Sequence, residues 1–101
     1  GLNVYPQEVE QILWGHPAIS DCAVIGVPDN DWGEAIKAVV ELKPGQTATE
    51  EELIAFCKGK MESYKCPKTV DISAALPRSM QGKVLKKDLR EQYWKGTAKK
   101  I

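Results

Sequence analysis

Residues 21–42, DCAVIGVPDNDWGEAIKAVVEL, contain two β-rich segments separated by a short loop. Residues 21–27 are mostly apolar and β-branched and end before a proline, which is typical of a strand. In residues 34–42, apolar side chains alternate with Lys37 and Glu41, which predicts a half-buried second strand. Because the connecting loop is short, the two strands are expected to form an antiparallel pair.

Helical patterns lie on both sides of this pair. Residues 6–14 begin with a proline, and their apolar residues recur on one face, so they predict a helix in which Glu8 and Glu10 complement the helix dipole. Thr49 and Glu52 form a capping box before a second predicted helix, which is expected to run from Glu50 to about Glu62.

The last third of the chain predicts a strand, a loop and a helix. Residues 68–72 are typical of a third strand, residues 76–83 contain Pro77 and Gly82 and predict a loop, and a final helix is expected after Lys83. The tail, residues 96–101, is expected to fray. The order αββαβα indicates an α+β domain, with a small, mainly antiparallel sheet of about three strands and three helices packed on it.

The composition indicates one soluble globular domain. The chain has 101 residues, 43% hydrophobic and 28% charged, which disfavours intrinsic disorder, and no apolar run approaches the length of a membrane span. No secretory leader is recognisable at the start. The first residues, GLNVYPQEVE, do not begin with Met and start in the middle of a sequence pattern. The chain is therefore interpreted as a piece of a longer protein.

The three cysteines and the single histidine exclude several kinds of site. Cys22, Cys57 and Cys66 are widely spaced and odd in number, which argues against a disulfide scaffold or a zinc site and favours the reducing cytoplasm. His16 lies between a glycine and a proline at a helix end, where a capping or surface role is expected. No metal ligand set is predicted in this chain.

The charges are unevenly distributed although the formal net charge is zero. Residues 1–82 carry 7 basic and 12 acidic side chains, whereas residues 83–101 carry 7 basic and 2 acidic ones. A basic end can meet a nucleic acid, a membrane, a nucleotide or an acidic partner domain, and composition does not choose among these.

Four segments in order resemble one family. They are GLNVYPQEVE, HPAISDCAVIGVPDNDWGEAIKAVVELKPG, YKCPK and LPRSMQGKVLKKDLRE, which together cover residues 1–93. The chain resembles the C-terminal domain of the adenylate-forming enzymes, the acyl-CoA synthetase or AMP-dependent ligase family. The resemblance implies that residues 1–95 are a mobile lid and that a large N-terminal domain, which is the lid's partner, is missing from this chain.

The resemblance implies a two-step ligase reaction. A carboxylate attacks the α-phosphate of ATP to give an acyl-adenylate and pyrophosphate, and the thiol of CoA then takes the acyl group and releases AMP. The lid of this family rotates between the steps. ATP/AMP and CoA are therefore the expected substrates, Mg²⁺ is expected in the absent domain, and the fragment alone is expected to be inactive.

The resemblance also implies the site residues. Lys83 matches the family's adenylation lysine, whose ammonium would stabilise the negative charge of the transition state, and Gly82 would allow a positive φ or a close approach. The residues expected to face CoA or the nucleotide are Gly1, Leu2, Asn3, Trp32, Tyr64, Cys66, Pro67 and Lys68. Trp32 could instead simply pack the turn between the strands, which is the favoured alternative, and Tyr64 is similarly ambiguous. Some relatives carry arginine where this chain has Cys66. Without that second positive charge, the phosphate contact expected of Lys68 is weaker.

Two alternatives stay open. An adenylation domain that serves a carrier protein instead of CoA would show the same motifs, and Lys68 favours CoA only weakly. A small nucleic-acid or partner-binding module would explain the basic end, although αββαβα matches no familiar nucleic-acid motif.

Overall fold

The computed structural model describes residues 5–29 and 33–98. The elements are α1 (Pro6–Trp14), β1 (Ile19–Asp29), β2 (Gly33–Leu42), α2 (Glu50–Lys58), a 3₁₀ turn (Ser63–Lys65), β3 (Thr69–Ile72) and α3 (Lys86–Ala98). This arrangement confirms the predicted α+β class and the order αββαβα.

The sheet has the strand order β1-β2-β3. Strands β1 and β2 pair antiparallel, from Asp21 opposite Glu41 to Asp29 opposite Gly33. Strand β3 pairs parallel to β2 over four residues. A parallel neighbour needs a crossover connection, and α2 lies in that connection. The sheet is therefore mainly antiparallel, as predicted, with a parallel third strand.

Both faces of the sheet are covered. Helices α1 and α2 lie on one face, where the core contains Val9, Leu13, Cys22, Val24, Ala38, Val40, Leu53, Cys57 and Val70. Helix α3 lies on the other face, over Ala23, Ile25, Val27, Val39, Leu76 and Leu89. Burial on both faces explains why the β1 sequence is almost continuously apolar.

The prediction that β2 is half-buried is wrong. The side chains of Lys37 and Glu41 are only 13% and 15% exposed, because α3 and the loop before it cover the face on which they lie. Each charge is paired there, Lys37 with Asp71 at 2.9 Å and Glu41 with Arg78 at 2.7 Å. The alternation in β2 is therefore one between apolar side chains and charged side chains that are covered and paired. It does not indicate that one face of the strand is exposed to solvent.

Two helix boundaries differ from the prediction. The capping box is confirmed, since the Thr49 hydroxyl accepts from the Glu52 amide at 3.1 Å and the Glu52 carboxylate accepts from the Thr49 amide at 2.9 Å. However, α2 ends at Lys58 instead of near Glu62, because glycine follows and Glu62 is extended (ψ 142°) where it starts the 3₁₀ turn. Helix α3 continues to Ala98, into the predicted tail.

No helix within the described ranges is both long and apolar enough to cross a bilayer.

Glu10 has a different environment from the one expected. Its side chain is 6% exposed, and one carboxylate oxygen accepts from the Val24 amide at 2.8 Å and pairs with the Lys86 ammonium at 2.6 Å. Glu10 thus joins α1, β1 and α3, in addition to any effect on the helix dipole.

We expect Glu10→Ala to lower the free energy of unfolding by about 2–3 kcal/mol, because the buried Val24 amide and the Lys86 ammonium lose a charged partner. Glu8→Ala is the matched control, since Glu8 is exposed in the same helix and its side chain pairs, among the described residues, with Lys65 at 3.4 Å. Urea denaturation of both variants measures the difference, and equal losses would contradict the bridging role of Glu10.

A second network joins α3 to the sheet. The Tyr93 hydroxyl donates to Asp71 at 2.6 Å, and the Lys37 ammonium contacts the other oxygen of the same carboxylate. Burial acts to raise the pKa of Asp71, but the hydrogen bonds from Tyr93 and Lys37 outweigh it, so the pKa lies below its usual value.

Because the pKa of Asp71 is lowered by folding, its contribution to stability is complete above its unfolded pKa of ~3.9 and is lost as the pH falls through the folded value. We expect Tyr93→Phe to raise the pKa of Asp71, since a hydrogen bond to the charged form is removed. An NMR titration of the Asp71 carboxyl in both proteins measures this. An unchanged pKa would show that Tyr93 does not stabilise the carboxylate.

Candidate functional site

Lys83 lies at the end of a tight turn between β3 and α3. The Ser79 amide donates to the Lys83 carbonyl at 2.8 Å, and the Gly82 amide donates to the Ser79 carbonyl at 2.9 Å. Arg78 and Val84 form an antiparallel bridge that closes the turn. Gly82 has φ +86°, a conformation that favours glycine, as its position before the lysine suggested.

The side chain of Lys83 is exposed. Within residues 5–29 and 33–98, no carboxylate lies within ion-pair distance of its ammonium. The turn therefore presents a positive charge at the surface that no described carboxylate neutralises.

Arg78 anchors this turn to the sheet. Its guanidinium pairs with Asp21 at 2.8 Å and with Glu41 at 2.7 Å, and it also donates to the Gly82 carbonyl at 3.2 Å. Burial acts to raise the pKa of Asp21, but hydrogen bonds from Arg78, Trp14 and the Cys22 amide outweigh it and lower the pKa. Asp21 is therefore held as a carboxylate.

A separate groove of about 460 Å³ lies between α2 and the 3₁₀ turn. It brings together four residues that the resemblance assigned to CoA, namely Tyr64, Cys66, Pro67 and Lys68. Ile54, Lys58 and Ser63 complete its lining. Two lysine residues thus line one groove.

The groove residues differ in accessibility. Tyr64 is 44% exposed, whereas Cys66 and Pro67 are buried. Lys68 is exposed over about half of its side chain and pairs with Asp29 at 2.7 Å. A phosphate that binds Lys68 therefore has to share the ammonium with this carboxylate.

The Cys66 thiol is unsuited to nucleophilic chemistry. It donates to the Glu62 carbonyl at 3.6 Å, and burial raises its pKa, which disfavours the thiolate.

His16 lies in the turn between α1 and β1, and Gly15 is the C-cap of α1. Its Nδ1 accepts from the Ala18 amide at 3.0 Å, and its ring contacts Phe56 edge-on at 4.8 Å.

Four predicted site residues lie outside the described residues, namely Gly1, Leu2, Asn3 and Trp32. Their roles stay predictions.

Sequence reasoning missed Lys58 and Arg78. Lys58 follows Ile54 by four residues, and this helical spacing places both on one side of α2, which was an available signal. Arg78 offered no comparable signal, because its carboxylate partners precede it by 57 and 37 residues.

The Lys83 turn and the groove lie at opposite ends of the β1–β2 pair. Arg78 anchors the turn at Asp21, and Lys68 anchors the groove at Asp29. At about 3.3 Å per residue, the strand between these two carboxylates spans roughly 26 Å. The predicted adenylation lysine and the predicted CoA residues therefore do not form one site within this domain.

The described ranges contain no group of three His, Cys, Asp or Glu side chains arranged to hold a metal ion. No magnesium site is therefore assigned within these ranges.

Comparison with known proteins identifies a family. Residues 8–83 match the family described as the AMP-binding enzyme C-terminal domain, a match that ends on the candidate lysine. The fatty acid–[acyl-carrier-protein] ligase ScoC of Streptomyces coeruleorubidus is 38% identical over the whole chain. The long-chain-fatty-acid–CoA ligase FadD13 of Mycobacterium tuberculosis is 43% identical over 92% of it.

Solved structures show the same fold. ATP-bound MatB from Rhodopseudomonas palustris is 41% identical with a TM-score of 0.86, over 92% of this chain and 18% of that one. A Mycobacterium tuberculosis fatty acyl CoA synthetase is 43% identical with a TM-score of 0.84, over the same shares. The chain spans only 18–20% of these relatives.

The family match over most of the chain, together with the shared fold and the Gly-Lys turn at its end, shows that this chain belongs to the AMP-binding enzyme C-terminal domain family.

Proposed function

We propose that the chain is the lid of an AMP-forming acyl-CoA ligase and that Lys83 is its adenylation lysine. The exposed ammonium of Lys83, held on a closed turn without a carboxylate partner in the described structure, is the observation that carries the proposal. The large domain that this chain lacks would supply the ATP and acyl sites and hold Mg²⁺, which neutralises phosphate charge when bound.

The first half-reaction needs a positive charge at one point. A carboxylate oxygen forms a bond to the α-phosphorus of ATP, and the bond between that phosphorus and the bridging oxygen of pyrophosphate breaks. Negative charge develops where the carboxylate meets the phosphate. The ammonium of Lys83 would donate hydrogen bonds at that point, and no proton has to move to or from it.

In the second half-reaction, the CoA thiolate attacks the acyl carbonyl and AMP leaves. The groove beside Lys58 and Lys68 suits the phosphates of CoA, because two ammonium groups can form charge-assisted hydrogen bonds with them. Its position at the other end of the sheet suits a second orientation of the lid.

One relative supports a second candidate function. ScoC, which is similar over the whole chain, is named as a ligase for an acyl carrier protein. The same lysine would then form the adenylate, and the acyl group would pass to the thiol of a carrier. A comparison of CoA with a carrier protein as acceptor in the whole enzyme distinguishes the two.

We also propose a cytoplasmic location. The three cysteines are free and buried in the structure, as suits a reducing compartment.

In the full-length enzyme, we expect Lys83→Ala to slow adenylate formation by about 10²–10³-fold, because one preorganised charge is lost from the transition state. Transfer from supplied acyl-adenylate to CoA should stay within about threefold of the wild-type rate. Pyrophosphate exchange and single-turnover thioester formation measure the two steps. Equal losses in both would refute a role specific to adenylation.

For the groove, we expect Lys58→Ala and Lys68→Ala each to raise the KM for CoA by about threefold to tenfold through the loss of a contact to phosphate. The KM for pantetheine, which has no nucleotide phosphates, should not change. Lys43→Ala, an exposed lysine in the β2–α2 connection, is the matched control. An increase for both thiols alike would speak against phosphate binding in the groove.

A further inference from the structure

Arg78 holds the two ends of the Lys83 turn in fixed positions. Its own backbone pairs with Val84, immediately after the lysine, and its guanidinium reaches the carbonyl of Gly82, immediately before it. The amide of Lys83 also donates to the Ser79 hydroxyl at 3.2 Å. The backbone on both sides of the lysine therefore depends on one arginine and its immediate neighbour.

The carboxylates that hold Arg78 are themselves fixed. The Asp21 oxygen that does not contact Arg78 accepts from the Trp14 indole at 3.0 Å and from the Cys22 amide at 2.8 Å. The second Glu41 oxygen accepts from the Leu76 amide, at the start of the loop. Each carboxylate is therefore restrained at both oxygens, and the guanidinium has a defined position on the sheet.

The side chain of Lys83 has no such restraint in the described structure. Its position therefore follows from the position of the turn. A displacement of about 1 Å in a group that acts on a transition state can cost on the order of 10²-fold in rate.

We propose that Arg78 is a positioning residue for Lys83, which it holds at the reaction centre through the ion pairs with Asp21 and Glu41. This inference rests on the proposed adenylation role of Lys83. Lysine cannot replace Arg78 fully, because an ammonium lacks the planar fork that reaches both carboxylates.

The test uses the full-length enzyme and measures both half-reactions. We expect Arg78→Gln to lower the kcat of adenylation by roughly tenfold to a hundredfold, with unchanged KM values for ATP and the acid, and to leave transfer to CoA within about twofold. Arg78→Lys should fall between this variant and the wild type. Arg90→Gln is the matched control, since Arg90 lies on α3 and pairs with Glu34 of β2 at 3.2 Å, away from the turn.

A double variant separates positioning from stability. If Arg78 acts only through Lys83, Arg78→Gln should cost less than about twofold when Lys83 is already alanine. A further tenfold loss in that background, or equal losses in both half-reactions, overturns the inference. If Arg78→Gln fails to fold, Glu41→Gln, which removes one of the two ion pairs, replaces it under the same criteria.

Lys83→Ala, measured in parallel, distinguishes failure of the positioning role of Arg78 from failure of the proposed adenylation role of Lys83. A slow Lys83→Ala enzyme with a normal Arg78→Gln enzyme overturns the positioning role alone. A normal Lys83→Ala enzyme overturns the proposed function and, with it, the inference.

Discussion

Two carboxylates face each other across the β1–β2 pair, and the guanidinium of Arg78 contacts both. Like charges directly opposite each other on neighbouring strands repel, so Asp21 and Glu41 need a cation between them. The cation comes from the loop after β3, and this requirement fixes the loop to the sheet. The ion pairs of Arg78 therefore do two things: they offset the repulsion between Asp21 and Glu41 in the strand pair, and they fix the position of the turn that carries Lys83.

Coverage of both sheet faces explains why charged residues act as anchors here. A three-stranded sheet in a chain of this length has few interior positions, and α3 has to cover polar as well as apolar side chains on its face. Glu10, Lys37 and Asp71 are each paired where they are covered, and no buried polar side-chain atom in the described structure lacks a partner. The ionic contacts thus join the helices to the sheet at defined positions.

Local patterns predicted most of this fold, whereas contacts distant in sequence could not be predicted. The Pro6–Trp14 helix and the Thr49 capping box depend on neighbouring residues, so both could be read directly. The burial of Lys37, Glu41 and Glu10 depends on where α3 packs. In a strand, alternation of apolar and charged residues looks the same whether the charged side chains are paired under a helix or exposed to solvent. For the site, the Gly82–Lys83 pair and residues 64–68 came from the resemblance, whereas Arg78 needed the three-dimensional structure.

The position of the two candidate sites constrains how the whole enzyme works under the proposed function. The Lys83 turn and the CoA groove are both tied to β1, and β1 is the most completely buried strand in the described structure. The ion pairs that tie the two sites to β1 lie roughly 26 Å apart along the strand, so a local loop movement does not bring both sites to one reaction centre. If both serve one centre in turn, the domain has to rotate as a rigid body about its connection to the large domain. Under the proposed function, a lid that presents Lys83 to the reaction centre holds the CoA groove away from it, so the two half-reactions use different orientations of the domain.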